Sequence, residues 1–235
     1  MVVSTILPIF APMKNTKWCE NVILVDADYI DKVAFDLIVN FERMIGRRIP
    51  QADTARWIEC IALDGGIRPE RQEEFALQRH TLKERTPHSA KQRRGKKQEN
   101  RSASTQVVLL HGKGQMENFN PGAFAELDGK AFQSELGEMQ ISCVPVEELT
   151  TMSDLFIDSL QVISNAAEVK RLMVVPDAET IYNKVREALR HANPDQHITV
   201  FAMQPLEGGQ FRQEILGYSL MAALGIKSEE INNVS

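Results

Sequence analysis

Six short runs of mainly aliphatic residues alternate with longer segments of helical periodicity, and no other feature constrains the fold of this chain as strongly. The runs cover residues 21–26, 57–63, 107–111, 139–144, 171–175 and 197–203. Continuous apolar runs of this length are typical of strands that are buried on both faces, as in parallel sheets. The segments between them predict helices over residues 29–45, 121–136, 151–169 and 178–191, with another over residues 210–224. The alternation predicts an α/β fold with three α/β/α layers around a mostly parallel sheet of about five to six strands.

Two helix ends carry recognisable signals. In residues 151–169, Leu155, Leu160 and Ile163 recur at helical spacing, and Ser153 is available as the N-cap. Gly225 follows the last predicted helix at the position where a terminating glycine is common.

Charge is distributed unevenly along the chain. The whole sequence has 27 Lys and Arg against 32 Asp and Glu, a net charge of −5. Residues 79–101 contain nine basic and two acidic residues, so this stretch carries +7 and the rest of the chain carries −12. Residues 83–106 contain no large apolar side chain, so we expect a basic disordered insertion at about residues 81–106 within a single domain spanning residues 17–235.

The amino-terminal residues, the length of the apolar runs and the cysteines all bear on the cellular location of the protein. The first twelve residues are apolar but lack the charged segment and cleavage site of a signal peptide, and we expect residues 1–16 to be a flexible tail. No apolar run approaches the ~20 residues needed to span a bilayer, which predicts no membrane partner. Three widely spaced cysteines form neither a disulfide framework nor a zinc pattern, which favours a reducing, cytoplasmic location. The oligomeric state is left open.

Acidic residues follow the predicted strands where an open α/β sheet binds its ligands, outside the carboxyl ends of the strands. Carboxylates that converge there repel one another unless a cation lies among them, and Mg²⁺ or Mn²⁺ is the usual partner of such oxygen ligands. A second interpretation is that each acid caps a helix or complements its dipole. The candidate metal ligands are Asp26, Asp28, Asp154, Asp158, Asp177 and Glu179.

The segments VILVDADY, SDLFIDSL, RLMVVPDAET and HITVFAM resemble, in their order, the elements of PIN-like nucleases, especially the NYN branch. The resemblance implies a PIN/Rossmann-like fold and a Mg²⁺- or Mn²⁺-dependent endoribonuclease. In that family an aspartate ends the first strand, acids lie on a later helix, and an acidic segment closes the next strand. Asp26, Asp158 and Asp177 match these positions and are the implied catalytic residues.

Some positions depart from the family pattern. Met152 stands where a second helix acid is usual, Pro176 replaces a small glycine, and Glu179 replaces aspartate. Asp28 is displaced by one position from the family's polar residue. These departures favour an alternative: a non-catalytic α/β binding or interaction module with a degenerate site. A small-molecule or nucleotide-binding α/β protein is a third possibility, although the chain has no phosphate-binding loop motif.

The basic insertion has two interpretations of its own. It is either a solvated loop without function or a surface that binds RNA phosphates non-specifically. In the second case RNA is the partner. The residues that would bind it are Lys91, Arg93, Arg94, Lys96 and Lys97.

Overall fold

A seven-stranded sheet forms the centre of the computed structural model, which describes residues 17–69 and 104–232. All neighbouring strands pair in parallel except the first two in the spatial order, which are antiparallel. That order is β5 (Ala131–Ser134), β6 (Gly137–Pro145), β3 (Ser104–His111), β1 (Asn21–Asp26), β7 (Arg171–Val175), β8 (His197–Ala202) and β9 (Arg212–Ile215). A separate parallel pair joins β2 (Ala52–Asp53) to β4 (Phe119–Asn120).

Helices cover both faces of the sheet, so the predicted three-layer α/β/α fold is confirmed. On β1, the side chains of Ile23 and Val25 belong to one core and those of Val22 and Leu24 to the other, and all four are fully buried. The first core is closed by α1 (Ala27–Ile45), α2 (Thr54–Asp64) and α6 (Leu216–Ala223). The second is closed by α4 (Met152–Ser164) and α5 (Ala178–Ala188). The remaining elements are α3 (Phe124–Leu127), a 3₁₀ turn (Leu189–His191) and α7 (Ser228–Asn232).

Side-chain caps set where the helices begin. Asp26 accepts a hydrogen bond from the backbone of Tyr29 at 3.0 Å, and Asp53 caps α2 in the same way. The N-cap of α4 is Thr151 rather than the predicted Ser153. Gly225, in a left-handed conformation with φ of 67°, follows α6 as predicted.

The predicted strand over residues 57–63 is wrong, because this segment lies within α2. Trp57, Ile58, Ile61 and Ala62 are fully buried, whereas Leu63 is partly exposed. This pattern buries one stripe of a helix, which a short apolar run does not distinguish from a strand. Asp53 caps this helix, which begins at Thr54, three residues before the apolar run.

Three other boundaries differ from the predictions. The single helix expected over residues 121–136 is instead α3 followed by β5, with the chain turning at Gly129 and Gly137, both of which have positive φ. The helix expected from residue 210 begins only at Leu216, because residues 212–215 pair with β8. Residues 104–106, assigned to the insertion, belong to β3 and pair with both β1 and β6.

Two sequence predictions concern residues that the structure does not describe. The expected flexible tail, residues 1–16, lies outside the described residues, and so do residues 81–103 of the predicted insertion. Within residues 17–69 and 104–232, no helix is long and apolar enough to cross a membrane.

Candidate functional site

Asp26 and Asp177 lie where the strand order of the sheet reverses. From β1 the chain moves to β3 and β6 on one side, then returns to β7 on the other side of β1. Asp26 ends β1, and Asp177 lies two residues beyond the end of β7, the strand paired with β1. In open α/β sheets the ligand crevice lies at this point, outside the carboxyl ends of the strands. The predicted location of a site is therefore occupied by two carboxylates.

Asp26 is only 4% exposed. Its pKa is raised from 3.8 to about 6, chiefly by burial and also by the negative charges of Asp28 and Asp177, against the lowering effect of the hydrogen bond from Tyr29. A buried aspartate flanked by two others is electrostatically unfavourable in its charged form. Either a proton or a cation would relieve this repulsion.

Two buried polar atoms at this crevice have no hydrogen-bond partner within the described part of the chain. One is Oδ1 of Asp177, whose Oδ2 accepts a hydrogen bond from the hydroxyl of Thr180 at 2.7 Å. The other is the hydroxyl of Tyr29, a residue that is 5% exposed. Burial and the charges of Glu179, Asp177 and Asp26 raise the pKa of this phenol. Because buried polar groups are normally paired, these atoms indicate a ligand, an ion or water at this point.

We define the acidic site as Asp26, Asp28, Tyr29, Asp177 and Glu179. Among the described residues, Lys32 places a positive charge at this site: its Nζ lies 3.9 Å from Glu179 Oε2 at the exposed rim. Oδ2 of Asp28 accepts a hydrogen bond from the backbone of Gly112 at 2.9 Å, which ties the site to the loop after β3. The site therefore carries an excess of negative charge.

A buried aspartate on α1 holds the loop after β3 in place. Asp31, 3% exposed, accepts hydrogen bonds from the backbone and the side-chain amide of Asn118 at 2.8 and 3.0 Å. The Nζ atom of Lys113 lies 4.0 Å from Asp31 Oδ2. At Gly122 a Cβ atom would lie 2.0 Å from the carbonyl oxygen of Met116, so the loop closes on itself without room for a side chain. The loop is thus a fixed wall beside the acidic site.

Asp154 and Asp158 lie apart from the acidic site, in a groove between α4 and α5. Oδ1 of Asp154 is 3.7 Å from Nζ of Lys184, and its Oδ2 accepts a hydrogen bond from the hydroxyl of Thr151. Burial and then the charge of Asp154 raise the pKa of Asp158. Neither residue is among the charges that shift Asp26. No residue of the acidic site lines this groove, and on the same helix Leu155 and Phe156 are buried in the second core.

The predicted Mg²⁺ or Mn²⁺ site requires side-chain oxygen atoms that lie close together. The residues at 17–69 and 104–232 contain no group of three or more His, Cys, Asp or Glu side chains that could hold a metal ion. Mg²⁺, however, keeps several waters and is often bound through only one or two carboxylates. The unpaired oxygen of Asp177 beside the buried carboxyl of Asp26 fits such a site. A single site that also includes Asp158 remains a prediction.

A family model described as "Family of unknown function (DUF6621)" matches residues 15–88 and 90–231. The chain belongs to the DUF6621 family. No curated protein and no solved structure matches it. Nothing in these comparisons indicates a PIN or NYN domain, so that resemblance remains a prediction. The DUF6621 match includes the entire acidic site.

The proposed RNA-binding residues lie within the DUF6621 match but outside the described residues; they are Lys91, Arg93, Arg94, Lys96 and Lys97. In the sequence, the described residues closest to this stretch lie at the amino-terminal edge of the sheet. Ser104 begins β3, and Gly65, at the end of α2, accepts a hydrogen bond from Arg171, the first residue of β7. The acidic site lies at the opposite, carboxyl edge.

Two functional features of this DUF6621 chain escape sequence reasoning. Tyr29 directly follows the Asp-Ala-Asp segment, but a tyrosine in the first turn of a helix gives no sign that its hydroxyl is buried among carboxylates. From the sequence, Asp31 is expected to be one of the solvent-exposed charged residues of an amphipathic helix. Its burial depends on the loop at Asn118, 87 residues away in the sequence.

Proposed function

We propose that the protein is a metal-dependent nuclease of the PIN/NYN type that acts on RNA at the acidic site. The observation that carries the proposal is the pairing of a buried carboxyl group, Asp26, with an unpaired carboxylate oxygen of Asp177 at the reversal of strand order. Binding sites of open α/β sheets occur at this point. Groups with perturbed pKa values in a cleft are also typical of functional sites.

In this proposal Asp26 and Asp177 hold Mg²⁺ or Mn²⁺, and Asp28 and Glu179 orient its water ligands. When bound, the metal supplies a water of lowered pKa and positive charge for the phosphate oxygens. The hydroxyl of Tyr29 is an available donor for an oxygen that enters the crevice. The five basic residues from Lys91 to Lys97 attract the RNA backbone through phosphate charge, without reading the bases.

A specific observation favours the second candidate, a non-catalytic α/β binding or interaction module with a degenerate site. Asp154 and Asp158, the helix acids of the nuclease pattern, lie with Lys184 in a groove outside the acidic site. Two carboxylates and water make a weaker metal site than three or four. Under this alternative the fold is kept and RNA binds without cleavage.

The test is cleavage of a mixed single-stranded RNA pool in Mn²⁺ and in Mg²⁺ by the wild type, Asp26→Asn and Asp177→Asn. We expect activity in the wild type and a loss of at least about 100-fold in both variants, because an oxyanion-stabilising or metal-holding contact is worth this much or more. Asp53→Asn is the matched control, since Asp53 also caps a helix but is exposed.

Two further arms separate the candidates. Asp158→Asn loses activity only if Asp158 joins the metal site, so unchanged activity restricts the site to the carboxylates at the strand ends. RNA binding that persists in EDTA, with no cleavage in Mn²⁺ by the wild type, would select the non-catalytic module. The same assay with single-stranded DNA measures the preference for RNA.

A further inference from the structure

Three arginines meet at the amino-terminal edge of the sheet, at the opposite end of β7 from the acidic site. Arg171 is the first residue of β7, and Arg212 is the first residue of β9. A Cβ atom at Gly66 would lie 2.9 Å from Nη1 of Arg171 and 3.8 Å from Nη1 of Arg212, so both guanidinium groups converge on one point. The third is Arg68, whose Nη1 donates to the carbonyl oxygen of Leu63 at 2.8 Å.

The central guanidinium of this cluster has no carboxylate partner among the described residues. Nη1 of Arg171 donates a hydrogen bond to the carbonyl oxygen of Gly65 at 3.0 Å. Burial lowers the pKa of Arg171, and the positive charges of Arg68 and Arg212 lower it further. A half-buried cation between two other cations is destabilised unless an anion lies nearby.

Two carboxylates, those of Glu214 and Asp64, lie at the margin of the cluster but do not neutralise its positive charge. Glu214 accepts a hydrogen bond from Arg212, which is its ion-pair partner. Burial and then the charge of Glu214 raise the pKa of Asp64, against the charges of Arg212 and Arg68, which lower it. With three guanidinium groups against two carboxylates, the cluster keeps a net positive charge.

A groove of about 480 Å³ opens beside the cluster, lined by Gly65, Arg171, Gln196, His197, Phe211 and Arg212. Gln196 is 9% exposed, and its side-chain nitrogen donates to the carbonyl oxygens of Ile163 and Ala166. Its Oε1 is buried and accepts no hydrogen bond from the described residues. The groove therefore exposes two guanidinium groups, those of Arg171 and Arg212, on one open surface, which suits an anion.

We propose that Arg68, Arg171 and Arg212 form a phosphate-binding site at the amino-terminal edge of the sheet, distinct from the acidic site. Planar guanidinium groups bind phosphate oxygens through pairs of charge-assisted hydrogen bonds. A phosphate supplies the negative charge that the arginines lack, whether it is a phosphate monoester or the phosphodiester of a nucleic-acid backbone. The phosphate belongs either to a small molecule or to a nucleic-acid backbone.

The site does not depend on the proposed nuclease activity. β7 is five residues long, so its two ends are separated by about 15 Å at ~3.3 Å per residue. Loss of phosphate binding would leave the acidic site intact, and absence of cleavage would leave the arginine site intact. The two proposals therefore fail separately.

The experiment is a titration of the full chain with inorganic phosphate, followed by isothermal calorimetry at constant ionic strength. We expect at least a tenfold loss of affinity in Arg68→Gln and in Arg212→Gln, and a smaller loss in Arg171→Lys, which keeps the charge but not the planar fork. Arg56→Gln is the control, because Arg56 is exposed in the first turn of α2 and does not line this groove. Circular dichroism of each variant shows that it is folded.

Competition with a single-stranded oligouridylate identifies the source of the phosphate. Displacement of inorganic phosphate from the wild type indicates a nucleic-acid backbone, and no displacement indicates a small phosphorylated molecule. Absence of phosphate binding by the wild type would overturn the proposal, as would equal affinity of the wild type and the Arg68→Gln/Arg212→Gln double variant.

Discussion

Replacing Asp26 with Asn should stabilise the protein at alkaline pH and leave its stability unchanged in acid. In the folded chain the pKa of Asp26 is raised from 3.8 to about 6, so the folded state binds a proton that the unfolded state has already released. The stability of the wild type is therefore highest below about pH 4, falls as the pH rises through this window, and levels off above about pH 6. At 1.36 kcal/mol per pKa unit, the penalty at pH 8 is about 3 kcal/mol as an upper bound.

The asparagine side chain removes the ionisation but keeps the capping oxygen that accepts the hydrogen bond from Tyr29. Loss of the charge also removes a favourable interaction with the helix dipole, of roughly 0.3–1 kcal/mol. The net stabilisation expected at pH 8 is about 2 kcal/mol, which for a domain of this size corresponds to roughly 4–8 °C in Tm. Asp26→Asn is therefore expected to melt higher than the wild type at pH 8.

The assay is thermal unfolding followed by circular dichroism at pH 4, 6 and 8 in the presence of EDTA. Asp53→Asn is the matched control, because Asp53 accepts the equivalent hydrogen bond at 3.0 Å but is exposed, so the same substitution is made in a cap that is not buried. An Asp26→Asn protein that melts lower than the wild type at pH 8 would refute the reasoning. So would a stability difference that is equal at pH 4 and pH 8.

Three other outcomes are expected. Adding 10 mM MgCl₂ at pH 8 should raise the Tm of the wild type but not that of Asp26→Asn, because binding to the folded state stabilises it; equal shifts would argue against metal at this carboxylate. Asp31→Ala should lower the free energy of unfolding in urea by about 2–3 kcal/mol, since it removes two hydrogen bonds from Asn118 and leaves the backbone N–H of Asn118 without its acceptor; a change under about 0.5 kcal/mol would contradict this. Gly122→Ala should cost about 3 kcal/mol or more, because its Cβ would lie 2.0 Å from the carbonyl oxygen of Met116, and an unchanged Tm would show that the loop yields freely.

Buried strands of the central sheet were the most predictable part of the fold. The bounds of β1 and β7 agree residue for residue with the predicted runs, because a strand covered on both faces is apolar along its buried length and is polar only at its ends. The same rule fails at residues 57–63, where an apolar run of equal length lies in a helix that is buried along one side. A short run does not contain enough turns to reveal its period.

The position of Asp26 in the candidate site was also predictable, because the end of a buried strand and the start of a helix are local features. Its role as N-cap follows from the same local pattern, and the structure confirms it. Whether Asp158 lies close to Asp26 was not predictable from the sequence, because it depends on how α4 is rotated against the sheet. Side chains one turn apart on a helix face the same way, so burial of the neighbouring apolar stripe turned Asp154 and Asp158 together toward Lys184.

The fold class, the central strands and the presence of acids after them are predictable from local patterns, since they depend on hydrophobic period and on capping between near neighbours. Which of these acids meet depends on long-range packing. Strand order places β7 beside β1 across about 150 residues of chain, and so brings Asp177 to Asp26. The same packing buries the hydroxyl of Tyr29 among carboxylates and brings Arg68, Arg171 and Arg212 together at the far edge, because these contacts join residues whose spacing in the sequence carries no sign of their proximity in space.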